Sequence, residues 1–123
     1  MRAKVGVRTK VGIVSFAHMH AHNYAAALGN LGGIAEFVGI ADEDGSRGRA
    51  VAEQYGVPFM RDAGELLSVV DAIVVCTENK DHARFTVEAL DRGVHVLCEK
   101  PIATTIDDAL RMIDAAQNSG APY

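Results

Sequence analysis

The feature that most constrains this chain is a five-residue run, Ala72–Cys76 (AIVVC), that is apolar without a break. A strand with one face in water alternates apolar and polar residues, whereas a strand covered on both faces does not have to. Unbroken runs of this kind belong to parallel sheets, whose strands are joined by helices packed on the sheet faces. The rest of the chain keeps that rhythm. Lys10–Ser15 (KVGIVS) predicts a first strand, and His20–Leu31 has the composition of a helix. Ala35–Ala41 (AEFVGIA) predicts a second strand, and Ser46–Tyr55 a helix that Gly56 terminates. Val57–Met60 predicts a short third strand and Gly64–Val69 a brief helix. After the Ala72–Cys76 strand, Lys80–Asp91 reads as a helix with Phe85, Val87, Ala89 and Leu90 toward the sheet. Val94–Cys98 (VHVLC) is the fifth strand. Thr105–Asn118 is the last helix, with Ile106, Leu110 and Ile113 as its apolar stripe and Asp107 and Asp108 in its first turn.

Strands alternating with helices predict β-α-β units and right-handed crossovers. The fold class is therefore α/β, a doubly wound parallel sheet of five to six strands with helices on both faces. No internal repeat or linker interrupts it, and 123 residues suffice for one core. The formal charge of −4, from 12 basic and 16 acidic residues, argues against nucleic acid or an anionic membrane as the main partner. No apolar run approaches the roughly 20 residues that span a bilayer. Arg2, Lys4, Arg8 and Lys10 ahead of Val11–Ala17 imitate a signal peptide, but that stretch is short, contains Gly12 and runs into three histidines. We read residues 1–9 as a leader and 10–123 as the domain, in a cytoplasmic protein. Cys76 and Cys98 each end an apolar run and read as small buried hydrophobes that stay reduced.

Open parallel sheets bind ligands beyond the carboxyl ends of their strands, where strand order reverses. A dinucleotide site there usually carries G-x-G-x-x-G after the first strand, because glycine permits a tight turn and close approach to pyrophosphate. This chain has Ser15-Phe16-Ala17-His18-Met19-His20, with all three glycines replaced. Small residues still allow backbone amides to hold a pyrophosphate at a helix N-terminus, so Ser15, Phe16 and Ala17 remain candidates, with His18 as a donor to a phosphate oxygen. His20 stands where helix and strand would pack tightly. Asp42 closes the second strand at about the interval the fold uses, and a carboxylate there accepts both hydroxyls of the adenine ribose while repelling a 2′-phosphate. NAD is favoured, and Arg47 and Arg49 nearby keep NADP open. The alternative role for Asp42 is a loop or helix-capping acid in the turn sequence Asp-Glu-Asp-Gly.

The stretch Gly93–Pro101 (GVHVLCEKP), together with Ala41-Asp42, Ala52-Glu53-Gln54-Tyr55-Gly56, and Thr77-Glu78-Asn79 followed by His82, resembles the Gfo/Idh/MocA oxidoreductase family. The likeness runs from Val11 to Gly120. It implies a Rossmann-type domain and hydride transfer between NAD(P) and a carbinol carbon of a sugar, polyol or related compound. In that reading Lys100 is the catalytic lysine beside the reacting hydroxyl, where it could relay a proton or polarise a carbonyl. Glu99 and Pro101 would lie by the nicotinamide ribose, with Thr77, Asn79 and His82 on the nicotinamide side. Glu78 departs from the proline that the family often carries there. The resemblance further implies a C-terminal α/β domain on an open antiparallel sheet, absent from these residues, supplying a histidine, substrate contacts and a homo-oligomer interface. Residues 1–123 alone would then be inactive.

Two other classes compete. One is a non-catalytic nucleotide-binding or sensor domain, which binds NAD without turnover. The other is a metal-dependent hydrolase using His18 and His20, since alternate residues of an extended segment share a face. That reading needs further ligands after later strands, and His82 and His95 are poorly placed to be them. The sequence therefore assigns no metal site.

Overall fold

The structure is a computed structural model, and it describes residues 8–120. Five parallel strands form one sheet in the order β3-β2-β1-β4-β5. They are β1 (Thr9–Val14), β2 (Ala35–Ala41), β3 (Phe59–Met60), β4 (Ala72–Val75) and β5 (His95–Cys98). The helices are α1 (Ala21–Asn30), α2 (Gly45–Tyr55), α3 (Ala63–Leu67), α4 (His82–Asp91) and α5 (Ile106–Ser119). The expected five strands and doubly wound order are present, with boundaries moved by one to two residues. Thr9 opens β1 and so lies inside the span read as a leader, whose first seven residues fall outside the described part.

β4 shows why its sequence does not alternate. Ile73 and Val75 point into one buried cluster with Leu66, Phe85, Leu90 and Val96, while Val74 and Cys76 point into a second with Ile13, Ile40, Ala25 and Val51. Helices α3, α4 and α5 cover the first face, and α1 and α2 the second. Apolar burial stabilises by about 25 cal/mol per Å², so a strand between two such clusters gains from every side chain. Close approach is also required at Gly12 of β1. A Cβ there would lie 2.7 Å from Leu66 Cδ1, so glycine lets α3 settle directly on the strand.

The helix ends follow local chemistry. Asp44 caps α2 by accepting a hydrogen bond from the Arg47 amide, and Gly56 ends it in the left-handed region at φ 68°. Thr105 caps α5 through the Asp108 amide, with Asp107 and Asp108 in the first turn as expected. Residues 79–81 form a separate 3₁₀ turn, so the fourth helix begins at His82 instead of Lys80.

One expectation fails. Ile106, Leu110 and Ile113 are exposed, while Met112, Ala115 and Ala116 form the buried face of α5. The helix carries two apolar stripes, and periodicity alone does not say which one meets the sheet. The small alanines win because α4 packs close against this helix.

Candidate functional site

The carboxyl ends of β1, β2 and β4 open onto a groove of about 430 Å³, lined by Ser15, Ala17, Asp42, Arg47, Thr77 and Phe85 among others. It lies where β1 sits between β2 and β4, the point at which strand order reverses.

Ser15 makes the turn out of β1. It adopts φ 72°, the left-handed region where glycine is usual and a side chain costs about 1–2 kcal/mol. Its own contacts offset that cost: the Ser15 amide donates to Ala41 O at 2.6 Å, and Ser15 Oγ accepts from the Ala17 amide at 3.0 Å. The backbone turn that the first glycine would supply is thus made by a serine. Beyond it, the His18 amide donates to Cys76 O at 3.0 Å, anchoring the loop to the end of β4.

Phe16 does not reach the groove. Its ring is buried against His22 and Tyr55, and its amide donates to Asp42 Oδ2 at 3.1 Å. His18 is likewise turned away, its ring 4.6 Å from that of His20, with Nδ1 accepting from the His20 amide at 3.1 Å. Of the four loop candidates, Ser15 and Ala17 face the groove.

Asp42 is buried at the end of β2. The capping role falls to Asp44, which leaves Asp42 to organise the loops around it. Its carboxylate accepts from the amides of Phe16 and Asp44 and from Arg47 Nε and Nη2. That hydrogen bond to Asp42 raises the already high pKa of Arg47 further, so the guanidinium is permanently charged. Arg49, by contrast, lies over the Phe59 ring, 5.4 Å from its centre. Arg84 fixes the outer rim, reaching Glu43 at 2.7 Å and Asp81 at 3.5 Å.

Thr77 is buried, and Asn79 is exposed on the turn before α4. Glu78 between them has φ −59° and ψ 148°, the conformation a proline would impose, so the loop keeps that shape without one. His82 is fully buried. Its Nδ1 lies 2.6 Å from Pro101 O and its Nε2 3.2 Å from Thr77 O. The resemblance offers His82 as a cofactor contact or as a polar residue at the helix start; it opens α4 and its ring lies between the two loops, holding the β4 and β5 turns in register.

Glu99 is buried at the end of β5, and Lys100 beside it is exposed, joined to Pro101 by a cis peptide. Tyr24 Oη donates to Glu99 Oε2 at 2.9 Å, the Lys100 amide donates to Oε1 at 3.2 Å, and His20 Nδ1 lies 3.3 Å from Oε1. Burial pushes the Glu99 carboxyl up, but the hydrogen bonds from Tyr24, His20 and the Lys100 amide outweigh it and hold the group below its ordinary value. The same contact pushes Tyr24 up to about 12. No local sequence signal pairs Tyr24 or His20 with Glu99, because only the fold brings the start of α1 beside the end of β5. Cys76, just after β4, and Cys98, at the end of the adjacent β5, are free thiols, and burial pushes Cys76 up to about 12.

A parallel sheet of this order, a tight turn after β1 and a buried carboxylate after β2 define a nucleotide-binding domain of the doubly wound class. The chain belongs to the Gfo/Idh/MocA family, whose profile, described as an oxidoreductase family with an NAD-binding Rossmann fold, matches residues 9–123. It is 37% identical to inositol 2-dehydrogenase 1 of Saccharopolyspora erythraea over 85% of this chain and 32% of that protein. It is 40% identical to D-glucoside 3-dehydrogenase of Escherichia coli over 69% of this chain and 25% of that protein. The crystal structure of the WlbA dehydrogenase of Bordetella pertussis in complex with NADH and UDP-GlcNAcA superposes with a TM-score of 0.86 at 27% identity, covering 94% of this chain and 36% of that one. The chain spans about a third of the length of these relatives or less.

Proposed function

We propose that this domain is the cofactor half of an oxidoreductase that moves hydride between NAD and a hydroxyl or carbonyl carbon of a sugar or polyol. The observation that carries the reading is Asp42, a buried carboxylate at the end of β2 facing the groove opposite the left-handed Ser15 turn. Those features suit a dinucleotide. Asp42 would accept the adenine ribose hydroxyls, and Ser15 and Ala17 would border the pyrophosphate. Bound NAD supplies the hydride acceptor. Thr77 and Asn79 on the β4 loop, and Glu99 with Pro101 on the β5 turn, would flank its nicotinamide end.

Lys100 is the chain's own candidate for proton movement. It projects from the carboxyl end of β5, and neighbouring Glu99 is tied down by Tyr24, so the start of the turn is rigid. A lysine there can, as the neutral amine, take the hydroxyl proton as the alcohol is oxidised, and the ammonium so formed can return it to a carbonyl oxygen in reverse. General acid–base catalysis contributes about 10²–10⁴-fold. Lys100→Met in the intact protein should therefore lower kcat by at least about 100-fold while NAD affinity stays within about twofold. Unchanged turnover would remove Lys100 from the mechanism, and failure of the folded intact protein to bind NAD would remove the cofactor reading.

Among the described residues no helix is long and apolar enough to cross a membrane. The two free thiols support a cytoplasmic setting, and the net charge of −4 supports a small-molecule partner over nucleic acid. A homo-oligomer formed through a further domain is part of the same proposal.

A further inference from the structure

The turns after β1 and β5 bring together three groups that lie far apart in sequence. One donor atom each from His18, His20 and Glu99 lies within 4.8 Å of the other two. The ligand missing from the His18-x-His20 pair is therefore present, delivered as a carboxylate from the end of β5, two strands away from β1.

Charge makes the cluster unusual. Glu99 is 5% exposed, and the only cationic partner among the described residues is His20, whose side chain is 46% exposed. Hydrogen bonds from Tyr24 and the Lys100 amide already favour the Glu99 carboxylate, and a full counter-charge would add to them. A divalent ion would supply it at neutral pH. The half-positive N-terminus of α1 opposes a cation, but at about half a charge it is outweighed by the full charge of Glu99.

Geometry agrees. A tetrahedral ion with bonds of about 2.0–2.1 Å sets neighbouring donors roughly 3.4 Å apart. His20 Nδ1 and Glu99 Oε1 stand 3.3 Å apart. His18 would exchange its single contact with the His20 amide for the ion. Tyr24 holds the other oxygen, Oε2, and so orients the carboxylate as partners of metal ligands generally do. The partly exposed imidazoles give an ion access from solvent. Two imidazoles and one carboxylate select zinc-like metals over calcium or magnesium, which prefer oxygen-only shells.

We propose that His18, His20 and Glu99 form a site for a zinc-class divalent ion that ties the β1–α1 loop to the end of β5, leaving a fourth position for water or a bound oxygen. The three groups lie outside the Asp42 groove, but Glu99 is shared with the proposed nicotinamide end, so NAD affinity is compared on the His18 and His20 variants and not on Glu99→Gln.

The test is metal titration of the intact, tag-free, chelator-treated protein, first with Co²⁺ and then with Zn²⁺. One equivalent of Co²⁺ should bind with the intense visible d–d bands of a four-coordinate ion, be displaced by Zn²⁺, and raise the unfolding temperature. His18→Ala, His20→Ala and Glu99→Gln should each weaken uptake by at least about tenfold, while His22→Ala retains it. His18 and His20 are not core residues, so their variants remain decisive even if Glu99→Gln fails to fold. No stoichiometric uptake, or uptake indifferent to both histidine variants, overturns the site. NAD titration of the His18 and His20 variants reports separately on the groove.

Discussion

Arg47 grips the Asp42 carboxylate with both arms, Nε 2.8 Å from Oδ2 and Nη2 2.7 Å from Oδ1. With the amides of Phe16 and Asp44 on the same two oxygens, all four acceptor positions of the carboxylate are filled. Ribose hydroxyls can therefore reach Asp42 only as Arg47 lets go, and the released guanidinium is then free beside the ribose. We expect Asp42→Asn to weaken NAD roughly 10- to 100-fold, as loss of hydrogen bonds to a charged group does. Arg47→Ala should leave NAD affinity unchanged or improved and weaken NADP more than tenfold. Fluorescence titration with both cofactors measures this. Equal losses for NAD and NADP in Arg47→Ala would show that the arginine does not discriminate between them.

The Ser15 turn makes an unusual demand on its residue. A left-handed φ of 72° favours glycine by about 1–2 kcal/mol, while the Ser15 hydroxyl contributes about 1 kcal/mol through the Ala17 amide. Ser15→Gly relieves strain and loses that bond, so its stability should lie within about 1 kcal/mol of the parent. Ser15→Ala loses the bond and keeps the strain, and should be less stable than Ser15→Gly by about 1 kcal/mol. Urea unfolding of the two variants decides it, and alanine equal to or above glycine would contradict the turn geometry.

Tyr24 and Glu99 give a defined response to pH. Tyr24 is raised from 10.0 to about 12 in the folded state, so it loses its proton more readily when unfolded. Its contribution to stability is complete below pH 10 and disappears as pH rises toward 12. Glu99 has the opposite sign. Its lowered folded value means its contribution is present above the unfolded carboxyl pKa, about 4.3, and is lost as pH falls through the folded one. Tyr24→Phe should flatten the alkaline loss and also weaken the acid-side term. Unfolding temperature followed across pH for both proteins checks each arm, and an unchanged alkaline limb would place the tyrosine hydroxyl in solvent.

His82 joins two loops that sequence keeps apart. Replacing it with alanine leaves a cavity and removes the ring that spans the carbonyls of Thr77 and Pro101, one of which accepts its N–H. Together these should cost about 2–4 kcal/mol, read as a fall in denaturation midpoint. A loss below about 1 kcal/mol would mean that water replaces the ring, and the two turns are held by other contacts.

The sequence by itself determined the class of fold. Ala72–Cys76 cannot face water on either side, and the strand–helix rhythm around it leaves a parallel sheet as the consistent solution. It also singled out Asp42, because strand ends in such a sheet are where ligands gather, and the Glu99–Pro101 turn through its resemblance to the family's strand end. Tertiary structure alone decided what those groups touch. Asp42 meets Arg47, Glu99 meets Tyr24 and His20, and His82 turns inward to two carbonyls. Likewise, two apolar stripes were legible on α5, but only packing against α4 chose Met112, Ala115 and Ala116 over Ile106, Leu110 and Ile113. The division has one physical cause. Periodicity and turn chemistry act over a few residues and are written locally. Contacts between strand ends depend on how the whole sheet twists and which helix covers which face, and no short stretch of sequence contains that information.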